Sequence, residues 1–248
     1  MKLLPLLVLG LLLTTVIGFW AISVATLTLF PTMDNYAWQS VPYANNGHSD
    51  NFEITSATVN PKNMRGWVAF DLKSIPSNAL VIHADLRLRM WSKSPNDPSQ
   101  GFGDSTGRVY GVYRVTQPWN QSGENWANQP TYTEEHFATS RVPAGDSGWD
   151  GPLLYMDWDV TAIVHDWQSG ASNYGFVVRD TQENSTILYS TQFFTNHQVP
   201  NQSYFPRLIV TYILPQSLVL LVGILLVEGL LIGFVFRAKK NRTTNPVK

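Results

Sequence analysis

Two serines of the chain stand in loops that match serine-hydrolase spacings letter by letter. Ser105 lies in the run GDSTG, which has the G-x-S-x-G spacing of a nucleophile elbow, and Ser147 lies in GDSG. An elbow needs a strand before the serine and a helix after it, but an alternating strand pattern follows from Val109. Trp149 replaces the glycine that the second loop needs, and the five histidines form no convincing His–Asp pair. The sequence therefore predicts no enzyme.

Two pairs of carboxylates could serve a glycosidase or a hard cation. Asp157 and Asp159 would share one face of a strand, and Glu134 and Glu135 are adjacent. A glycosidase needs two carboxyl groups that flank one bond. Asp159 is better explained as the cap of a short helix, and the glutamates as part of a solvated loop. Neither pair predicts catalysis.

A loop-rich region near the start of the chain holds several oxygen-bearing side chains, namely Asp34, Asn45, Asn46 and Asp50. Carboxylate and amide oxygens are ligands that Ca²⁺ accepts in flexible geometry. If the chain holds a cofactor, we expect a structural Ca²⁺ in this region. His136 lacks helical spacing to further ligands, so no zinc site is predicted.

Aromatic rings are the stronger sign of ligand binding, because sugars stack their apolar faces on exposed rings while a few polar groups set their orientation. Four tryptophans on strand or helix patterns are predicted to lie in the core: Trp119, Trp126, Trp158 and Trp167. The rings predicted to contact a ligand or partner lie in loops or on outward faces: Trp38, Tyr43, Trp91, Phe102, Tyr132 and Trp149.

Arg87 and Arg89 point outward on a strand predicted from Ala84 to Met90. Guanidinium groups bind carboxylates in a bidentate way, so both arginines are candidates for contact with uronic acids. A solvated strand face explains the same pattern, and both interpretations stay open.

The elements that must position these residues are mostly short strands. Between 27 and 212, runs with a period of two alternate with turns rich in Gly, Pro, Asn, Asp and Ser. Such runs predict an all-β sandwich or jelly roll. One short helix is expected after Asp159, with Gly170 as its stop. Its apolar stripe consists of Val160, Ile163, Val164 and Trp167. The longest loops are predicted at 92–108 and 120–151.

The charge of the chain is unevenly distributed. The 248 residues carry 17 basic and 18 acidic side chains, for a net charge of -1. Seventeen of the acids and 11 of the bases lie between Leu27 and Tyr212, so this segment carries -6. An acidic globular part excludes a basic nucleic-acid binder, and 44% hydrophobic content excludes a disordered chain. The absence of cysteine excludes a disulfide scaffold and a thiolate zinc site.

Both ends of the chain are long apolar segments. Residues 1–25 have the pattern of either a cleaved secretory signal or a first transmembrane helix. Residues 214–236 contain a run, Ser217 to Phe236, that is long enough to cross a bilayer. The basic tail at 237–248 is predicted to be cytoplasmic under the positive-inside rule. The chain is therefore predicted to cross the cell membrane once or twice, with the domain at 26–213 on the outer side.

Glu228 is unusual because a charge near the bilayer centre is costly and usually marks a pairing or functional site. Gly229 and Gly233 have the i, i+4 spacing that lets a second helix approach closely. The three residues predict contact with a partner helix. The alternative is a protonated Glu near the headgroups, with glycines that are merely common in membrane helices.

Between these ends the chain resembles DNRLRE-domain proteins, a family that overlaps carbohydrate-binding module family 96 and is related to archaeal disaggregatase repeats. The matching residues, in order, are Asp34-x-Tyr36, Asn45-Asn46-Gly47, Phe70-Asp71-Leu72, Ile75-Pro76, Ala79, Ala84-x-Leu86-x-Leu88, Val112-Tyr113-Arg114-Val115, Trp119, Trp126-x-Asn128-x-Pro130, Asp159-Val160-Thr161, Trp167, Gly175, Pro206-Arg207-Leu208 and Tyr212. The resemblance implies a β-jelly-roll module, secreted or surface-attached, that binds polysaccharide or helps to build surface structures. Asn120 and Gln121 stand where the family has an acidic residue.

Together these observations predict a membrane-anchored, non-catalytic surface module whose partner is a polysaccharide or another component of the cell envelope. The alternative is an accessory subunit of a larger membrane complex, which docks through its transmembrane helix and caps its partners with the β-domain.

Overall fold

A computed structural model describes residues 24–58, 62–91, 108–141, 155–186, 189–197, 202–214, 223, 225–234 and 237. The described strands are β1 (Val24–Leu29), β2 (Pro31–Trp38), β3 (Asn51–Ser56), β4 (Met64–Phe70), β5 (Leu80–Trp91), β6 (Val109–Val115), β7 (Tyr132–Arg141), β8 (Tyr155–Asp159), β9 (Phe176–Asp180), β10 (Tyr189–Phe194) and β11 (Arg207–Ile213). One α-helix, α1 (Thr161–Gln168), follows β8, and two 3-10 turns span Trp126–Asn128 and Gln202–Tyr204. The strands form an antiparallel sandwich, which confirms the all-β prediction.

The chain divides into two compact units. The larger unit comprises Thr26–Ile75 and Val81–Thr211 and holds most of the strands. The smaller unit comprises Met1–Ala25, Pro76–Leu80 and Tyr212–Lys248.

The hydrogen-bonded strand order is β1-β11-β5-β10-β3-β4-β9-β6-β7, with β2 paired to β4 and β8 paired to β5. Period-two alternation gives each strand an inner and an outer face. On the inner face, the Phe193 ring lies 5.4 Å from that of Phe52, 6.4 Å from that of Tyr110 and 6.3 Å from that of Trp158. The indole of Trp158 also donates to the Tyr110 carbonyl at 2.9 Å. These buried rings form the centre of the core.

The predicted helix is present with its predicted stripe. Thr161 donates to the Asp159 carboxylate from its backbone N–H at 3.0 Å and from its hydroxyl at 2.6 Å. Ile163, Val164 and Trp167 are buried against the sandwich. Gly170 has φ +107°, a left-handed conformation that glycine adopts without strain.

Two predictions about irregular segments were wrong. The segment predicted as a loop at 120–151 contains β7, which pairs along β6. Its side chains are mostly exposed, so it lacks the apolar alternation that identifies a strand. The region around Asp34, which was described as loop-rich, contains strand β2, which pairs with β4.

In the smaller unit, residues 225–234 are helical and most of their large apolar side chains are exposed. No helix in the part of the chain that the structure describes is long and apolar enough to cross a membrane. Residues 1–23 and most of 214–222, where the predicted membrane segments fall, lie outside the described residues.

Candidate functional site

The outer face of the sheet formed by β2, β4, β9 and β6 carries a second apolar cluster. Its buried members, which we call the outer cluster, are Ala37, Trp67, Tyr113, Val115 and Val177. Four partly buried aromatic residues pack against it: Trp119, Trp126, Tyr132 and Tyr174. The sequence predicted Trp119 and Trp126 as core residues, but the structure leaves both rings partly open to solvent at the edge of this cluster.

Arg65 lies across the rings of the outer cluster. Its guanidinium carbon is 5.0 Å from the Trp126 ring centroid and 5.7 Å from that of Tyr132. Its Nε and Nη2 atoms each donate to the Glu183 carboxylate at 2.7 Å. Burial opposes the charge on Arg65, but the bonds to Glu183 prevail and raise its pKa above the ordinary value. Arg65 is therefore a paired cation.

Arg179 is paired in the same way. It lies 4.8 Å from the Tyr113 ring centroid and 5.4 Å from that of Tyr132. Its guanidinium contacts Glu134 at 3.1 Å and Glu183 at 3.5 Å. Because each arginine of this face already has a carboxylate partner, the face offers rings and neutral polar groups rather than unpaired cations.

A surface depression of about 410 Å³ lies at one end of this region. Its lining residues are Pro118, Trp119, Asn120, Gly123, Glu124 and Asn128. The indole nitrogen of Trp119 donates to the Tyr174 carbonyl at 2.8 Å, so the ring is held in one orientation. A fixed ring beside amide groups is the arrangement that binds the apolar face and the hydroxyls of a sugar.

The loop that carries the depression is held by its own hydrogen bonds. Asn125 caps the 3-10 turn by accepting from the backbone N–H groups of Ala127 and Asn128. The Asn128 side chain accepts from the Asn125 backbone at 2.7 Å and donates to the Gly123 carbonyl at 2.9 Å. The polar groups of the depression are therefore preorganised by the backbone.

Glu124 is buried in this loop and only 3% exposed. Its Oε2 atom accepts from the Asn35 side-chain amide at 2.6 Å, whereas its Oε1 atom is buried without a hydrogen-bond partner. Burial raises the pKa of the Glu124 carboxyl to about 8. At pH 7 this group is largely protonated and can donate a hydrogen bond.

The predicted contact residues are spread over several surfaces. Tyr132 belongs to the aromatic group around the outer cluster. Trp38 is half-buried at the end of β2, and Tyr43 is 82% exposed in the following turn. The side chain of Trp91, and the whole of Phe102 and Trp149, lie outside the described residues. Among the described members of this set, only Tyr132 belongs to the aromatic face.

Arg87 and Arg89 differ despite sharing a face of β5. Arg87 forms a bidentate pair with Asp157 at 2.6 and 3.0 Å. Arg89 is only 3% exposed, and its guanidinium carbon lies 3.4 Å from the Tyr204 ring centroid. The prediction that Arg89 points into solvent is wrong, because the 3-10 turn at 202–204 covers this end of the strand.

The structure describes all four residues that were predicted to hold Ca²⁺. Asp34 is fully buried. Asn45 donates its amide to the carbonyls of Gln121 and Glu124 at 2.8 and 2.7 Å, and Asn46 donates to the Tyr36 carbonyl at 3.1 Å. These asparagines therefore hold loops together. Asp50 contributes its backbone carbonyl to the Thr195 N–H at 3.1 Å.

Within the described ranges, no group of three or more His, Cys, Asp or Glu side chains is arranged to hold a metal ion. Asp157 pairs with Arg87, and Asp159 accepts from the backbone N–H and the hydroxyl of Thr161 at the start of α1. The N-cap position is Val160 rather than the predicted Asp159. Ser105 and Ser147 lie outside the described residues.

An antiparallel sandwich with a ring-walled depression is a ligand-binding scaffold. The family model of carbohydrate-binding module family 96 matches residues 25–203, which include the outer cluster and the depression. The chain therefore belongs to carbohydrate-binding module family 96, as its sequence resemblance predicted. Such families bind polysaccharide and are generally non-catalytic. No curated protein gives a significant match to the chain.

Trp119 and Glu124 are the site residues that the sequence interpretation missed. Trp119 carried a signal, since it is followed by amide-rich residues typical of a polar binding loop. Glu124 carried none, because its burial depends on Asn35, 89 positions away.

Proposed function

We propose that this chain is a non-catalytic surface module that binds a polysaccharide through the depression and the adjoining aromatic face. The observation that supports the proposal is the Trp119 ring, held by Tyr174 at the wall of a cavity large enough for a sugar unit. The exposed side chains of Asn120 and Asn128, which line the depression, would fix the orientation of the sugar hydroxyls.

We further infer that the preferred ligand is a neutral saccharide. None of the described residues that line the depression is cationic, and the nearby arginines Arg65 and Arg179 are bound to glutamates. A uronate could pair with Arg65 or Arg179 only if the arginine left its glutamate, and breaking such an ion pair costs free energy.

The test is affinity electrophoresis of the full-length chain in detergent, with neutral glucans or mannans and with a uronate polymer in the gel. We expect Trp119→Ala to weaken binding to a neutral polymer by about tenfold or more, because a stacked ring is lost. Asn128→Ala should weaken it without removing the ring. Tyr43→Ala is the control, since this exposed residue is absent from the depression lining.

Retention of every neutral polymer by Trp119→Ala at wild-type strength, with an unchanged thermal melt, would refute the site. Binding of the wild type to the uronate polymer alone would refute the neutral ligand but not the site.

We also propose that the module is anchored in the cell membrane by its C-terminal segment, with the β-domain outside. The support is the helix at 225–234, whose Leu226, Leu230 and Phe234 side chains are more than 60% exposed. Apolar side chains exposed around a helix are stabilised by lipid. If residues 1–25 are cleaved, a chain truncated after 214 should be released from membranes by alkaline carbonate, whereas the full chain should stay. Mass spectrometry of the mature N-terminus distinguishes a single-pass from a two-pass protein.

The second candidate function is an accessory subunit that docks another helix through Glu228, Gly229 and Gly233. One observation favours it, since a Cβ added at either glycine meets no atom within 4 Å, so this small-residue face is open. Gly229→Leu should then release a partner during mild-detergent purification, while Gly223→Leu, outside this face, should not. A single species of monomer size on native gels would exclude this candidate.

A further inference from the structure

One tripeptide at the depression has the acceptor pattern for N-glycosylation. Asn120-Gln121-Ser122 fits Asn-x-Ser/Thr without proline at the middle position. Two more such tripeptides begin at Asn184 and at Asn201, of which Asn201 lies outside the described residues. The pattern alone does not say which asparagine is modified, but the structure distinguishes Asn120 from Asn184.

Asn120 keeps its amide nitrogen out of its own hydrogen bonds. The residue is exposed, and its Oδ1 atom accepts from the backbone N–H of Ser122 at 2.8 Å. Its backbone carbonyl accepts from the N–H groups of Gly123 and Glu124 at 3.0 and 2.9 Å. All these bonds lie within one turn, and none of them uses Nδ2. Ser122 is exposed as well. Both residues that the acceptor pattern requires are therefore open to an enzyme.

Asn184 is held against the sandwich instead. Its φ of +61° is a left-handed conformation. Its backbone N–H donates to Asn63 Oδ1 at 3.0 Å, and its side-chain oxygen accepts from Asn63 Nδ2 at 2.8 Å. Asn63 is only 3% exposed. A transferase could draw out this segment only by breaking both bonds and leaving buried polar groups unpaired, which costs free energy. Asn120 is thus the better acceptor of the two.

The Asn120 amide nitrogen also lies at the depression itself. Trp119, Asn120 and Gly123 are all among its lining residues. A Cβ added at Gly123 would lie 3.7 Å from Asn120 Nδ2, so this nitrogen is beside the Gly123 wall. A sugar bonded to Nδ2 therefore starts at the edge of the depression, one residue along the chain from Trp119.

We propose that Asn120 is an N-glycosylation site and that the attached glycan covers the depression and the Trp119 ring. The donor is a lipid-phosphate-linked oligosaccharide. Asn120 Nδ2 attacks its anomeric carbon, so that a C–N bond forms while the C–O bond to the lipid phosphate breaks and its electron pair leaves with the phosphate. The proton lost by Nδ2 passes to a base of the transferase. The modification rests on the proposed position of the β-domain outside the membrane.

The attached glycan competes with free polysaccharide for the depression. Because it is bonded beside the ring, its effective concentration there is on the order of millimolar. A glycan is also bulky, so it obstructs the approach of a polymer chain. The modified chain therefore binds free polymer more weakly than the unmodified chain. This consequence rests on the proposed function, whereas the modification itself does not.

The test is mass spectrometry of the full-length chain purified from the membranes of its own organism. Trypsin cuts after Lys and Arg, so the peptide 115–141 contains only the Asn120 tripeptide, whereas 180–207 contains the other two. We expect a glycan on Asn120 and none on Asn184. Ser122→Ala should abolish the modification of Asn120. Ser122→Thr is the matched control and should keep it, because Thr preserves the acceptor pattern.

Hydroxyl-radical footprinting locates the glycan on the folded chain. Trp119 should be oxidised several-fold more slowly in the wild type than in Ser122→Ala, whereas Tyr155, exposed on β8, should be oxidised equally in both. Asn120→Gln replaces Ser122→Ala if that variant does not fold.

An unmodified Asn120 in the native chain would overturn the proposal. Equal oxidation of Trp119 in the glycosylated wild type and in Ser122→Ala would overturn the placement of the glycan over the ring. Failure of unmodified Ser122→Ala to bind any neutral polymer would instead refute the proposed function, and the glycan found on Asn120 would still support the modification site.

Discussion

Replacement of Glu124 by Gln tests whether the site contains a carboxyl that folding keeps protonated. Burial raises the pKa of this group from 4.5 in the unfolded chain to about 8 in the folded chain. Between these two values the folded chain holds a proton that the unfolded chain releases, so the free energy of unfolding falls as pH rises. At about 1.4 kcal/mol per pH unit, the loss from pH 4.5 to pH 8 is at most about 5 kcal/mol.

The variant removes the titrating group and keeps its contact. A glutamine oxygen can still accept from the Asn35 amide, which binds Glu124 Oε2 at 2.6 Å in the wild type. We therefore expect Glu124→Gln to match the wild type near pH 5 and to exceed it by several kcal/mol at pH 8. Asp34 contributes a slope of the same sign, since its pKa is also raised, to about 7. The difference between variant and wild type isolates Glu124.

The measurement is urea unfolding of the full-length chain in detergent and chelator at pH 5, 6, 7 and 8, followed by tryptophan fluorescence. Glu135→Gln is the control, because this residue is exposed on β7. Its curve should run parallel to that of the wild type. If the Glu124→Gln curve also ran parallel to the wild type, Glu124 would be ionised in the folded chain and the reasoning about its burial would be refuted.

Two further predictions concern pairs of residues that look alike in sequence. Arg89→Ala should lower the free energy of unfolding by about 2–4 kcal/mol, because it removes a buried cation–ring contact, whereas Arg87→Ala should cost less than about 1 kcal/mol at an exposed ion pair. Urea unfolding of both variants checks this, and equal costs would contradict the burial of Arg89. Gly175→Ala should cost more than about 3 kcal/mol, because its φ is +83° and a Cβ would lie 2.3 Å from the Val68 carbonyl. A Cβ at Gly170 would meet no atom within 4 Å, so Gly170→Ala should cost only about 1 kcal/mol, from the positive φ alone. Thermal melts measure both variants. Equal losses of stability would show that crowding by a Cβ at Gly175 does not cause the larger cost.

Much of the fold is readable from local patterns. The alternation from Ala84 to Met90 corresponds to β5, and the stripe after Asp159 corresponds to α1. The ordered family motifs identify carbohydrate-binding module family 96. These features depend on residues a few positions apart, and side-chain direction along a strand or helix follows from backbone geometry alone.

The candidate site depends on contacts that no local pattern reports. Alternation separates the two faces of a strand but does not say what covers each face. Arg89 is therefore buried on a face that was predicted to point outward. Edge strand β7 escaped prediction because most of its side chains are polar and exposed, which hides the apolar alternation.

By itself, the sequence determined the class of fold, the family and the uneven charge between the ends and the middle of the chain, because these depend on composition and short-range spacing. Only the tertiary structure decided that Trp119 borders a depression and that Glu124 and Asp34 are buried. The physical reason is that burial, and with it the pKa of a carboxyl, depends on loops that meet across more than 80 residues of chain.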